Sequence, residues 1–297
     1  MPSSTRTPLD SAPDNPHHCG MKTALIQMNS SSDMAANIAS VSAYIELAAD
    51  NGAQLIVTPE TTHLMVMGRE KALALSHYES DDPGLQALQS SARKANVWLL
   101  IGSLIIKKTS DRLVNRSYLI DPAGKIFARY DKMHLFDVDL GDGEKYQESA
   151  LYDAGTQSVV ANTSIGRIGM TICYDLRFPA LFHQLATGGA DIITVPAAFT
   201  VPTGRAHWQA LLRARAIETG AWIIAPAQTG DHDTGRSTWG HSLVIDPWGE
   251  IISDAGQAPG VSYVEINLQK CEEARKRVPS LLHGKAIPAL KSTGCNE

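Results

Sequence analysis

The feature that most constrains the fold is an alternation of short apolar runs with amphipathic stretches, in an order that repeats along the chain. Residues 22–28 (KTALIQM) read as a strand, and 33–50 as a helix capped by Ser32 or Asp33 with Ile38, Val41, Ile45 and Ala48 on one face. The run QLIVTPE at 54–60 gives a strand that ends at Pro59. A second helix at about 84–95 spaces Leu85, Leu88, Ala92 and Ala95 for burial, and VWLLIGSLII at 97–106 returns as a largely apolar strand. Repeated β-α-β of this kind needs a sheet with helices covering it.

The middle of the chain changes character and then repeats. VNRSYLID, a DPAG turn and KIFARYDK predict a two-stranded ribbon, and a second ribbon surrounds SIGR. A strand then runs to Cys173, a helix starts at about 179, and strands at 191–196 and 221–227 flank a helix at about 204–219. A further ribbon, GHSLVIDPWGEIISD, follows, and its turn DPWGEI echoes DPAGKI at 121–126. Two related halves, each with helices that need a sheet to cover, predict an α/β chain of two sheets packed face to face with helices outside both.

Composition narrows the function classes. The 297 residues are 43% hydrophobic and 19% charged, enough for a substantial core. The net charge is -5 with lysines and arginines scattered, so the basic stripe a nucleic-acid binder needs is missing. No apolar run approaches the roughly 20 residues that cross a bilayer. Cys19, Cys173, Cys271 and Cys295 are far apart with no CxxC pair, which argues against a zinc knuckle or a disulfide framework and for a reducing, cytoplasmic setting. Residues 1–20, with four prolines and no hydrophobic stretch, are expected to be a tail rather than a secretory signal or a folded element, and His17, His18 and Cys19 in it an incidental cluster. The expected organisation is a tail over 1–20, one domain over 21–283 and a second tail over 284–297.

Three reactive side chains stand where predicted strands stop: Glu60, Lys132 and Cys173. Strand ends project side chains from a rigid frame into a crevice. A thiol with an ordinary pKa of about 8.5 needs a base or a cation to attack a carbonyl at neutral pH. A carboxylate can take its proton and an ammonium can hold the oxyanion that forms, with backbone amides such as that of Tyr174 as further donors. Singly, each residue reads as well as a core thiol, a loop carboxylate and a solvated strand end, with Lys132 paired to Asp131 or Asp137. A Cys-His hydrolase using His134, His183, His207 or His241 is the rival chemistry. A calcium loop through Asp137, Asp139 and Glu148 fails because Asp142 stands where glycine is required.

The blocks TPETTHL, YDKMHLFDVDL…YQES and TICYDLRFPALF resemble the three motif blocks of the nitrilase superfamily, the carbon-nitrogen hydrolases, in its Nit-type amidase branch, over roughly residues 22–283. The resemblance implies a four-layer α-β-β-α sandwich. It implies Glu60 as general base, Lys132 as oxyanion stabiliser, Cys173 as nucleophile and Glu148, rather than nearby Glu144, as the residue orienting the lysine. It implies no cofactor and no metal, a homodimer formed through outer helices, and a small amide as substrate. Relatives of this branch hydrolyse deaminated glutathione, a 2-oxoglutaryl amide of Cys-Gly, or 2-oxoglutaramate; nitriles are the less expected substrates. A binding protein that keeps the fold with an idle site is the alternative from another class. Candidate substrate contacts are Tyr174, Phe199, Thr200 and Arg177, the last able either to hold a substrate carboxylate or to pair with Asp175.

Overall fold

The computed structural model describes residues 20–141 and 145–288; the cluster at His17–Cys19 and residues Asp142 and Glu144 lie outside them. Two six-membered strand orders form the centre of the fold. The first sheet contains β1 (Met21–Gln27), β2 (Leu55–Val57), β3 (Trp98–Lys107), β4 (Leu113–Ile120) and β5 (Ile126–Asp131). The second contains β6 (Val159–Thr163), β7 (Gly166–Met170), β8 (Ile192–Thr194), β9 (Trp222–Ala225), β10 (Leu243–Ile245) and β11 (Ile251–Asp254). The last strand, β12 (Gly260–Ile266), returns to the first sheet, giving orders β12-β1-β2-β3-β4-β5 and β11-β10-β9-β8-β7-β6. The two-residue strand His77–Tyr78 adds to β3 off this path.

The two sheets have one topology. In each, three central strands run parallel, β1-β2-β3 and β7-β8-β9. An antiparallel strand pairs with the first of the three, β12 or β6, and an antiparallel hairpin follows the third. The hairpin turns match atom for atom. Asp121 Oδ1 accepts from the amides of Ala123 and Lys125, and Asp246 Oδ1 from those of Trp248 and Glu250. The echo seen in DPAGKI and DPWGEI is a repeated structural unit.

Strand alternation assigns the layers. Ala24, Ile26, Ile56, Leu99 and Ile101 face α1 (Met34–Asp50) and α2 (Pro83–Ala95), meeting Val41, Ile45, Leu85 and Leu88. Leu25, Leu55, Val57 and Leu100 face the opposite way, into a core shared with the second sheet and with α3 (Pro179–Thr187) and α4 (Gln209–Thr219). The result is the α-β-β-α sandwich. Among the described residues no helix is long and apolar enough to cross a membrane.

Local departures from the sequence reading have physical causes. The predicted strand at 54–60 stops at Val57, because Pro59 has no N–H to continue the ladder and Thr61 turns at φ 54°. On α1, capped by Asp33, the buried position is Asn37 and Ile38 is only half-buried. Asn37 is tolerated there because its amide donates to Ser31 O and His63 O and its Oδ1 accepts from Ser31 N. The helix expected at 204–219 begins at Val201 and passes through a π turn at Gly204–Trp208, where Gly204 packs against Trp239.

Candidate active site

The ends of β2, β5 and β7 converge on a cavity of about 300 Å³. Glu60 reaches it from the segment after β2. Thr58 N donates to Leu100 O at 3.0 Å, Thr61 N to Ser103 Oγ at 2.9 Å, and Gln228 Nε2 to Glu60 O at 3.0 Å, so the backbone on both sides of Glu60 is fixed. The neighbouring strand approaches so closely that a Cβ on Gly102 would lie 2.0 Å from Thr58 O; only glycine fits. Lys132 follows β5, with its amide donating to Asn115 O at 2.9 Å and its carbonyl accepting from Gly155 N at 2.8 Å.

Cys173 lies just beyond β7 and opens a 3-10 turn, Cys173–Arg177, at φ 49°. A non-glycine residue with positive φ is strained, and here its surroundings enforce it. Cys173 N donates to Pro196 O at 2.9 Å. Asp175 Oδ2 accepts from Ile172 N at 2.8 Å and from Tyr130 OH at 2.7 Å, while Oδ1 accepts from His134 N at 3.1 Å. Arg215 on α4 donates twice to Leu176 O, at 2.9 and 2.8 Å. Asp175 thereby ties the strand that presents the lysine to the turn that presents the thiol.

The polar tips meet. Lys132 Nζ donates to Glu60 Oε1 at 2.9 Å and to Glu148 Oε2 and Oε1 at 2.9 and 3.2 Å. Glu60 Oε2 accepts from Ala198 N at 2.9 Å, and Cys173 lines the same cavity. Glu148, at the start of a short turn, is fixed by Phe136 N at 2.7 Å. Burial alone would raise the Glu60 carboxyl, but the Lys132 charge and hydrogen bond, the thiol and Arg236 together hold it below its ordinary range. Burial works against the Lys132 charge, and Glu148, Glu60 and Cys173 reverse that, keeping it well above its usual value. Burial, then the neighbouring Glu60 charge, push the Cys173 thiol well up. At neutral pH the resting site therefore holds a carboxylate, an ammonium and a neutral thiol. Such a set can pass one proton from sulfur to oxygen when the sulfur attacks a carbonyl.

The chain belongs to the carbon-nitrogen hydrolase family. Its family model matches residues 22–276. The deaminated glutathione amidase of Yersinia enterocolitica is 41% identical over 273 residues, 90% of this chain and 94% of that protein. That of Synechocystis is 41% identical over 264 residues, 88% of this chain and 96% of the relative. Among solved structures, the Caenorhabditis elegans NitFhit protein superposes with a TM-score of 0.85 at 34% identity, over 90% of this chain, which spans 65% of that longer one. An amidase from Nesterenkonia, carrying acrylamide added at its active-site cysteine, superposes at 0.74 with 25% identity over 87% of this chain and 98% of its own.

Other residues of this carbon-nitrogen hydrolase fall as follows. Tyr174, Phe199 and Thr200 line the cavity. Arg177 is not among the residues lining it; its guanidinium lies over the Tyr174 and Phe199 rings, 3.3 Å from His207 Nδ1, and makes no pair with Asp175, whose oxygens are taken by Tyr130, Ile172 and His134. Among the described residues no histidine lines the cavity: His134 lies against Asp175, His207 against Arg177 and His241 against Asp254. Sequence reasoning missed Asn115, whose Nδ2 donates to Glu60 Oε1 at 2.9 Å and to Glu148 Oε1 at 3.4 Å. The clue was a polar residue inside the apolar run of β4. It also missed Arg236 on the cavity wall.

Proposed function

We propose that the chain is an amidase that hydrolyses deaminated glutathione through a thioester on Cys173, releasing 2-oxoglutarate and Cys-Gly. Glu60 accepts the thiol proton as Sγ bonds to the amide carbon, and Lys132 with the Tyr174 amide stabilises the oxyanion. The intermediate collapses with loss of the C–N bond, the Glu60 proton passing to the leaving nitrogen and an acyl-thioester remaining. Water then attacks as Glu60 takes its proton, the C–S bond breaks, and the proton returns to sulfur. Glu148 and Asn115 hold the lysine and the base in register. Every atom in this cycle comes from the chain, the amide and one water.

The observation that carries the reading is the buried Lys132 ammonium bonded to both Glu60 and Glu148, in the cavity that Cys173 also lines. The names of the relatives at 41% identity support the substrate, and the acrylamide adduct of the Nesterenkonia amidase supports Cys173 as nucleophile. Exposed Ile217, Trp248, Val278 and Leu282 on the outer face of the second half support the homodimer. The test is intact-protein mass spectrometry during turnover of deaminated glutathione. The expected result is a transient 2-oxoglutaryl adduct on the wild-type protein, absent with the hydrolysis from Cys173→Ala. Hydrolysis by Cys173→Ala would overturn the assignment.

A further inference from the structure

The proposed base and nucleophile follow strands of different sheets, so contacts that cross between the sheets set their separation. The stretch after β8 touches both sides. Pro196 O accepts from Cys173 N at 2.9 Å, Ala197 O accepts from Gln228 N at 2.8 Å, and Ala198 N donates to Glu60 Oε2 at 2.9 Å. Three successive residues thus hold the backbone of the nucleophile, Gln228 and the carboxylate of the base. Gln228 then reaches the other end of the same glutamate, its Nε2 donating to Glu60 O at 3.0 Å. Among the described residues the other donor to that carbonyl is the Thr61 hydroxyl at 2.7 Å, which belongs to the same turn and moves with it.

Gln228 is fully buried, and its partners fix which way the amide points. Ser30 N can only donate and lies 3.0 Å from Oε1; Glu60 O can only accept and lies 3.0 Å from Nε2, so the two ends cannot exchange. The second Nε2 hydrogen goes to Ser30 Oγ at 2.8 Å, and the serine donates its own hydroxyl hydrogen to Thr62 O at 3.0 Å. Gln228 and Ser30 therefore grip the carbonyls on both sides of Thr61, whose φ of 54° is where the turn is strained. Ser30 is anchored in turn. Its carbonyl lies 2.7 Å from His232 Nδ1, which must carry the hydrogen, and His232 Nε2 lies 2.8 Å from Thr238 Oγ1. Burying three polar side chains is costly unless each is matched, and here each is. Among the described residues that line the cavity, Ser30, Gln228 and His232 do not occur, so this network reaches the substrate only through the turn that carries Glu60.

We propose that Gln228 is a positioning residue: its hydrogen bond across the sheets, with Ser30 as a second arm, fixes the distance from Glu60 to Cys173 and so sets the rate of proton transfer from the thiol without changing what the cavity binds. This rests on the reading that Glu60 is the base. A buried amide that only stabilises the fold would instead lower the melting temperature and leave kcat per folded site unchanged.

Gln228→Met keeps the length of the side chain and removes the amide. With deaminated glutathione its kcat is expected to fall about 100-fold, the scale of moving a catalytic group by about 1 Å, with KM changed less than about threefold. The discriminating readout is a double-mutant cycle with Glu60→Asp, which shortens the base. If Gln228 acts through Glu60, adding Gln228→Met to the Glu60→Asp enzyme costs less than about threefold more, whereas independent effects multiply. Multiplying effects, or a wild-type kcat in Gln228→Met, overturns the proposal. Cys173→Ala, which cannot be acylated, is expected to bind deaminated glutathione equally with and without Gln228→Met, and weakened binding overturns it too. Ser30→Ala removes one hydroxyl, leaves the bond from Gln228 to Glu60, and carries the same cycle if the methionine variant does not fold: kcat should be about 10-fold lower and again not multiply with Glu60→Asp, and an unchanged kcat overturns the proposal. A Glu60→Asp enzyme as fast as the wild type removes the base assignment and this proposal with it; a slow Glu60→Asp enzyme beside a fast Gln228→Met enzyme removes the positioning role alone.

Discussion

Asn115→Asp tests the electrostatics of the site with a change of almost no volume. The wild-type amide donates to two carboxylates, at 2.9 Å to Glu60 and 3.4 Å to Glu148, and its Oδ1 is buried without a partner. Aspartate would replace that donor with a third carboxylate beside a single ammonium. A like-charge pair at about 4 Å costs about 4 kcal/mol at an effective dielectric constant near 20, so two pairs cost about 8 kcal/mol; attraction to the Lys132 ammonium offsets part of this, and burying a third charge beside Glu60, which is 4% exposed, adds several kcal/mol back. Protonating a carboxylate of ordinary pKa near 4 at pH 7.5 costs about 5 kcal/mol. Protonation is cheaper, so the folded variant takes up a proton that the unfolded chain lacks. The folded state then binds more protons than the unfolded state, and stability falls as pH rises, by about 1.4 kcal/mol per unit. From pH 6 to pH 8 the loss is about 2.7 kcal/mol, or about 5–10 °C in melting temperature for a chain of this size. The proton, shared among the introduced carboxylate, Glu148 and the proposed base Glu60, and the loss of the Asn115 donor on Glu60 both weaken that base, and kcat/KM at pH 7.5 should fall at least about 100-fold. Melting temperatures and kcat/KM at pH 6, 7 and 8 for wild type, Asn115→Asp and Asn115→Leu provide the measurement, the leucine variant removing the donor without adding charge. An aspartate variant that tracks the leucine variant in its pH dependence would refute the argument.

Three further outcomes follow from other contacts. The Glu60 carboxyl is held low against its burial, so its contribution to stability is present above the unfolded value near 4.3 and is lost only as pH falls through the lower folded value; kcat/KM should therefore show no acid limb from this group between about pH 5 and 8, and a limb centred near 6.5 that disappears in a Glu60 variant would contradict it. The Cys173 thiol is pushed well up, so its alkylation by iodoacetamide should still be accelerating past about pH 9, and a plateau below pH 8 would show a thiolate in the resting site. Asp175→Ala leaves Tyr130 OH, Ile172 N and the His134 N–H without their acceptor in a fully buried place, costing about 3 kcal/mol or more and about 6–12 °C in melting temperature; a drop under about 3 °C would mean that Asp175 does not hold the turn.

The site was more legible in the sequence than its supports were. Glu60, Lys132 and Cys173 stood out because each is a reactive type at the end of an apolar run, a pattern local in sequence. Asn115 could not be placed that way: its partners are 55 and 33 residues distant, and a lone polar residue in a strand says only that it needs some partner. Arg236 sits in the polar loop DHDTGRS, where a charge reads as solvated, and only the fold shows it turned toward the cavity. For Arg177 the motif suggested a pairing with Asp175 that the fold does not make. Its neighbours in the motif suggested Asp175 or a ligand, whereas Tyr130, a residue on another strand, took the aspartate first. The layers were legible because strand alternation and the repeated Asp-Pro-x-Gly turn are sequence-local. The buried Asn37 on α1 was not, since a hydrophobic face is counted by apolar residues and His63 O lies 26 residues away.

The matching topology of the halves explains why the chemistry sits where it does. In each half the second parallel strand runs into a proline, Pro59 after β2 and Pro196 after β8, and the proline carbonyl accepts from a flanking segment, Pro59 O from Ser103 N inside β3 at 3.3 Å and Pro196 O from Cys173 N just beyond β7 at 2.9 Å. Proline ends the ladder and frees the residues after it from strand pairing. In the first half the next residue is Glu60, a carboxylate. In the second half the chain continues as Ala197 and Ala198, and the Ala198 amide is the donor on Glu60 Oε2. One broken strand end supplies a charge and its counterpart supplies the backbone that holds it, which places Glu60, the proposed base, between segments of the two sheets. Gly102→Ala probes that boundary directly: its Cβ would press on Thr58 O and Pro59 O, backbone atoms that yield only by moving Glu60. Stability should fall by about 1–3 kcal/mol and kcat by more than the change in KM. A variant with unaltered kcat would show that the position of the base does not depend on how this strand end is broken.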